Sequence, residues 1–118
     1  MSTLRITTII NDTDLGLKRS VSNLSVTTTD DEFDYRLMNI GTSEETYTIP
    51  TDITAPGYLF IRNADATNYV QVGFATTVYH IRLKAGQVAL LPVEPGETDI
   101  FLKANTAACD VELYLRAS

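Results

Sequence analysis

Apolar and polar residues alternate along nearly the whole chain, in runs of roughly four to eight residues cut apart by Gly, Pro, Asn and Asp, which is how a β-sheet module is written. Leu4, Ile6, Thr8 and Ile10 fall on one side of an extended segment, the period of a half-buried strand. Val21 to Thr28 predicts a second strand, in which Leu24 and Val26 share a side and Val21 falls on the other. The polar cluster Thr27-Thr28-Thr29-Asp30-Asp31-Glu32 predicts a turn. Phe33, Tyr35, Leu37 and Asn39 then alternate with Asp34, Arg36 and Met38, predicting an exposed strand, and Glu44 to Ile49 predicts another before Pro50.

Tyr58 to Ile61 is apolar on both sides, which predicts a strand covered twice, by a second sheet or by a neighbouring subunit. Tyr58, Leu59, Phe60 and Ile61 are therefore the candidate subunit-interface strand. Tyr69 to Val72, Val78 to Leu83, Gln87 to Val93, Asp99 to Lys103 and Val111 to Leu115 predict five more strands. Ala55-Pro56-Gly57 and Glu94-Pro95-Gly96 place Pro before Gly, the arrangement of a type II turn, and Lys84-Ala85-Gly86 predicts a tight connection. No window carries a helical period, and Ala104 to Ala108 has room for one turn at most.

About eight to ten short strands spaced roughly ten residues apart predict an all-β fold, a two-sheet β-sandwich with jelly-roll topology, the alternative being an immunoglobulin-like sandwich. At 118 residues the chain has material for one sizeable core, so 1–118 is expected to be a single domain. Residues 1–19 are a candidate N-terminal arm, with Asn11-Asp12-Thr13-Asp14-Leu15-Gly16 as its flexible connection, against the preferred reading of an ordinary surface loop.

The charge balance narrows the partners. A formal net charge of −6 and a pI near 4.5 argue against a nucleic-acid partner, because affinity for phosphate backbones rests on Lys and Arg displacing counterions. The first nineteen residues hold no continuous apolar stretch of the signal-peptide kind, and no segment approaches the roughly 20 apolar residues of a membrane helix. Synthesis in the host cytoplasm and no membrane partner are the expectations. The single Cys109 cannot form an internal disulfide, so stability has to come from packing, a bound ion or self-association.

Candidate chemistry is sparse. His80 lies on an apparent strand with no second histidine in the chain, so one chain cannot build a His-based metal cluster. Cys109 has no histidine nearby in sequence and reads as a small semi-buried residue rather than a nucleophile. Asp30, Asp31, Glu32 and Asp34, and separately Asn63, Asp65 and Thr67, offer oxygens of the type calcium prefers, but neither group carries the Gly and terminal Glu of an EF-hand loop, and Asn and Asp are common turn residues. No metal, cofactor or catalytic residue is assigned, and the chain is expected not to be an enzyme. Tyr58, Tyr69, Tyr79 and Tyr114 raise carbohydrate stacking as a further possibility, weakened by the absence of Trp.

One stretch reads as a unit. Tyr58-Leu59-Phe60-Ile61-Arg62-Asn63-Ala64-Asp65-Ala66-Thr67-Asn68-Tyr69-Val70-Gln71-Val72-Gly73 gives a strand, an Asn-x-Asp-x-Thr-Asn turn and Tyr-Val-x-Val-Gly. Arg82-Leu83-Lys84-Ala85-Gly86-Gln87 before Val88-Ala89-Leu90-Leu91-Pro92, and Ile100 to Ala108 before a last strand, follow in order. This second half resembles small virion structural proteins of tailed bacteriophages, and the first half resembles them only in its Thr/Ser-rich strand character. The resemblance implies a non-enzymatic decoration or cement protein on the outer capsid surface, binding the major capsid protein, stabilising contacts between capsid subunits and assembling as a homo-oligomer, with a trimer favoured. A neck, tail or fibre component of the virion is the alternative, and a carbohydrate-binding module the second.

Overall fold

A computed structural model describes residues 2–118, and among them there is no helix. The chain divides into two compact units, the first ending at Asp31 and the second spanning Glu32–Ser118. The single-domain expectation had set off only 1–19 as an arm, whereas the boundary between the units falls in the polar cluster read as a turn.

The first unit is a two-stranded antiparallel ribbon, β1 (Ser2–Asp12) and β2 (Leu17–Thr28). Its tip is closed by Asp12, whose Oδ1 accepts the N–H of Leu15 at 3.1 Å, and by Gly16 at φ 68°, a left-handed conformation that glycine adopts without steric cost. Ser2 and Thr28 face each other at its base, with their hydroxyls 3.2 Å apart. The pairing shifts between Ile6 and Thr8, where Ile6 stands opposite Leu24 but Thr8 stands opposite Val21. Ser22 and Asn23 thus oppose the single residue Thr7, forming a β-bulge with Asn23 at φ 53°. The extra residue re-phases β2. Val21, off-phase in the sequence pattern, joins Leu24 and Val26 on the face that also carries Leu4, Ile6 and Ile10.

The second unit is a sandwich of two four-stranded antiparallel sheets. Its strands are β3 (Phe33–Ile40), β4 (Glu45–Thr48), β5 (Pro56–Asn63), β6 (Val70–Gly73), β7 (Ile81–Leu83), β8 (Val88–Pro92), β9 (Asp99–Ala104) and β10 (Cys109–Ala117). The first sheet runs β3-β10-β5-β8 and the second β4-β9-β6-β7. The pairs nest, β3 with β10, β4 with β9, β5 with β8 and β6 with β7, so the segment is one long antiparallel ribbon wound into two sheets. That is the jelly-roll order rather than the immunoglobulin-like one.

Alternation buries one side of each sheet. Leu59, Ile61, Val111, Leu113 and Leu115 from the first sheet meet Val70, Val72, Ile100 and Leu102 from the second, all essentially without solvent contact. Each large aliphatic buried in this way contributes about 1.5–3 kcal/mol relative to remaining exposed. Cys109 and Ala104 are also fully buried members of the core.

The two Pro-Gly segments do not form type II turns, because neither glycine has the positive φ such a turn requires at its third residue. Pro56 and Gly57 lie inside β5, where the lack of a side chain serves a close approach: a Cβ on Gly57 would stand 2.8 Å from Cα of Ser118. Glu94 to Glu97 does turn, with the Glu97 N–H donating to the Glu94 carbonyl at 3.0 Å. A left-handed glycine of this unit is Gly86, at φ 77°, in the Lys84–Gln87 turn joining β7 to β8. Val78 to His80, expected as the start of a strand, precedes β7 as a loop that contributes a single bridge, Ala75 with Val78.

Candidate functional site

The outer face of the first sheet stands apart from the other surfaces of the sandwich. Directly opposed residues on neighbouring strands share a face, so the register builds three outward rows: Phe33, Arg116, Tyr58 and Pro92; Tyr35, Tyr114, Phe60 and Leu90; Leu37, Glu112, Arg62 and Val88. Leu37 is 76% exposed, Phe33 61%, Val88 53% and Tyr35 49%. The Phe33 and Tyr114 rings stack with centroids 5.9 Å apart. The corresponding face of the second sheet carries Thr46, Thr48, Gln71, Arg82, Asp99 and Lys103 around Phe101. An antiparallel sheet facing water ordinarily has polar residues outward, as this second sheet does. The first sheet instead presents aromatic and aliphatic residues outward around the charged Arg116, Glu112 and Arg62.

Polar groups lie within and beside these rows. The Tyr35 hydroxyl donates to Oε2 of Glu112 at 2.5 Å, and Asn39 Nδ2 donates to Oδ1 of Asp110 at 3.0 Å. The hydrogen bond to Glu112 is the main reason the Tyr35 phenol is held above its ordinary pKa. These contacts tie side chains of β3 to β10 across the outer face.

The four residues of the candidate interface strand divide between the two sides of β5. Leu59 and Ile61 point into the core and are fully buried, while Tyr58 and Phe60 lie on the outer face, half-buried among their row neighbours. Phe33, Tyr35, Leu37, Val88, Leu90 and Tyr114 complete that face, a grouping with Tyr58 and Phe60 that the sequence alone did not make. Their signal was present in the alternation of β3, where the apolar set Phe33, Tyr35 and Leu37 lies opposite the set that includes Met38. Of the four tyrosines considered for sugar stacking, Tyr58 and Tyr114 share this face. Tyr69 lies beneath the Arg82 guanidinium, 4.1 Å from its ring centroid, and the Tyr79 hydroxyl donates to Glu44.

The other candidate groups serve the fold. Asn63 is completely buried: its Nδ2 donates to the carbonyls of Asn68 and Leu83 at 2.8 and 2.9 Å, and its Oδ1 accepts the Asp65 N–H at 3.0 Å. Asp65 Oδ2 in turn accepts the N–H groups of Thr67 and Asn68, which hold its carboxyl below the ordinary range. The Asn-x-Asp-x-Thr-Asn segment is therefore a turn in which Asn63 Oδ1 and Asp65 Oδ2 accept from the segment's own backbone. At the edge formed by β3 and β4, Asp34 accepts from the Tyr47 hydroxyl at 2.5 Å and from Arg36 Nε at 2.8 Å. Burial, followed by the Asp34 hydrogen bond, raises the Tyr47 phenol well above its ordinary value.

The Cys109 thiol is buried, with the carbonyls of Asn68, Tyr69 and Ala107 between 3.6 and 3.8 Å away. Desolvation, then the charges of Asp65 and Asp110, push its pKa up, which disfavours the thiolate. His80 is exposed beside β7. Among the described residues no three His, Cys, Asp or Glu side chains converge as metal ligands.

No family model, curated protein or solved structure matches this chain.

Proposed function

We propose that this chain is a non-enzymatic structural protein of a tailed-bacteriophage virion, a decoration or cement protein that binds the outer surface of the major capsid protein and stabilises contacts between capsid subunits. The observation that carries the reading is the outer face of the β3-β10-β5-β8 sheet, where exposed aromatic and aliphatic side chains gather around a few charged groups. Contiguous exposed apolar surface of this kind marks an interaction site rather than an ordinary solvated face. The resemblance of Tyr58 to Ala108 to small phage virion proteins gives that surface a class of partner. Repeated contact on a lattice suits such a surface, because modest individual interfaces gain strength by multiplicity.

The deciding experiment is the copy number of this polypeptide in gradient-purified particles, measured by quantitative mass spectrometry against the major capsid subunit. A number comparable to the capsid subunit supports the decoration role. A handful of copies moves the protein to the neck, tail or fibre, and absence from the particle overturns the virion reading.

A further inference from the structure

The ribbon formed by β1 and β2 is amphipathic across its two faces. One face carries Thr3, Arg5, Thr7, Ile9 and Asn11 on β1 with Lys18, Ser20, Ser25 and Thr27 on β2. The other carries Leu4, Ile6, Thr8 and Ile10 beside Val26, Leu24 and Val21, with Leu17 near the tip. Ile10 is 71% exposed, Leu17 54%, Val21 49% and Leu24 44%. Among the described residues, none of this ribbon's hydrophobic side chains is fully buried. A two-stranded ribbon in water is marginal on its own, and these strands extend for roughly 35 Å at about 3.3 Å per residue. The bulge at Asn23 sharpens the point, since it places Val21 on the apolar face that regular pairing would deny it.

Two charged side chains interrupt the apolar face, Asp12 on β1 and Arg19 on β2. They have opposite sign, lie on opposite strands and sit within two residue pairs of each other, since Ile10 pairs with Arg19 and Asp12 with Leu17. Their present contacts are local and exposed, Arg19 Nη1 to the Lys18 carbonyl and Asp12 to the Leu15 N–H. When identical ribbons pack face to face in parallel around a rotation axis, β2 of one copy lies beside β1 of the next. Arg19 then meets Asp12 of the neighbouring copy, and the Leu, Ile and Val side chains of all copies close over one another. Antiparallel packing instead carries each of these charges towards the Leu4 and Val26 end of its partner, where the apolar face offers it no counter-charge.

We propose that the β1–β2 ribbon is the self-association element of this protein, occupied by the same ribbon from other copies in a parallel cyclic arrangement. The inference rests on the homo-oligomer expected alongside the proposed function, and is independent of what the sandwich binds. A closed cyclic arrangement uses up the apolar face, which an open-ended one would leave available for fibre growth.

The test uses the full-length purified protein. Its mass in solution, by sedimentation equilibrium at micromolar concentration, should be a small whole multiple of the chain mass. Val21→Lys and Leu24→Lys should each lower it to that of a monomer, whereas Ser20→Lys on the polar face should leave it unchanged. Arg19→Asp and Asp12→Arg should each weaken association at least tenfold, and the double exchange should restore most of it. Thermal melting of the sandwich, unchanged in every variant, separates loss of association from loss of folding. Leu15→Cys, at the tip and 72% exposed, should form an intermolecular disulfide on oxidation, because parallel ribbons bring their tips together. A wild-type monomer overturns the proposal, as does an oligomer indifferent to the Lys substitutions or to the charge exchange. Capsid binding by a monomeric wild-type protein would overturn the ribbon assignment while leaving the virion reading standing.

Discussion

The backbone N–H of Asn23 donates to the Thr7 hydroxyl oxygen at 3.1 Å across the ribbon, with Asn23 held in the left-handed region at φ 53°. Asparagine tolerates that region better than most residues, and this bond satisfies the amide that the bulge would otherwise leave unpaired. Asn23→Gly should therefore be nearly neutral. Asn23→Val, β-branched at positive φ, should cost about 1–3 kcal/mol locally. Hydrogen exchange checks this: amides from Thr7 to Val21 should exchange roughly 5–150-fold faster in the Val variant, a range that follows from the same energy, while sandwich amides keep their rates.

Leu37 and Leu113 belong to the same sheet but face opposite ways, the first 76% exposed and the second fully buried. Leu37→Lys should change folding stability by less than about 0.5 kcal/mol. Leu113→Ala should cost about 2–5 kcal/mol through lost burial and the cavity left behind. On the proposed function, Leu37→Lys should also weaken binding to capsids at least tenfold. Chemical denaturation together with a capsid co-sedimentation assay separates the two effects.

Strands were legible wherever one face is core and the other is not, because period-two alternation records that difference directly. The outer aromatic face was legible only in part. In β5 the run Tyr58 to Ile61 showed two apolar sides, but nothing local says that the Leu59 and Ile61 side meets the second sheet while the Tyr58 and Phe60 side meets solvent. That depends on which strands lie alongside, and β10 and β8 arrive from about thirty or more residues away in sequence. Val21 appeared off-phase because a bulge adds a residue without leaving a mark in hydropathy. Pro56-Gly57 carried the letters of a turn, yet Gly57 answers to the Ser118 backbone, a contact made at the opposite end of the unit's sequence.

Gly73 is required by its surroundings rather than by its torsion angles. A Cβ built there would stand 1.8 Å from the Val78 carbonyl oxygen, a backbone atom that cannot rotate away. Gly73→Ala should therefore destabilise the sandwich by about 3 kcal/mol. Gly16→Ala meets nothing within 4 Å and carries only the strain of φ 68°, about 1–2 kcal/mol confined to the ribbon tip. Denaturant titrations followed by far-ultraviolet circular dichroism should show a lowered sandwich midpoint for the first variant and none for the second.

The Glu44 carboxylate ties the β3–β4 connection to the loop before β7, accepting from the Thr76 hydroxyl and the Thr77 N–H, each at 2.7 Å, and from the Tyr79 hydroxyl. These hydrogen bonds favour the charged form and hold its pKa below the ordinary 4.5, Thr76 contributing most. A carboxyl with a depressed folded-state pKa contributes stability that is fully present above its unfolded value and is lost as pH falls through the folded one. Stability should therefore decline below about pH 4.5, with Asp65 adding to the same acid limb because its folded pKa is also depressed. Tyr79 runs the other way: burial and the Glu44 hydrogen bond push its phenol up to about 12 from 10.0, so its contribution is present below pH 10 and is lost as pH rises towards 12. Glu44→Gln should flatten part of the acid limb and Tyr79→Phe part of the alkaline one, in melting temperatures recorded from pH 3 to pH 11, a range of roughly eight units that spans both ordinary values. Because both shifts include the same Tyr79–Glu44 hydrogen bond, the double variant should lose less than the two single losses added together. Strict additivity would mean that the bond contributes nothing and that the loop is held by Thr76 and Thr77 alone.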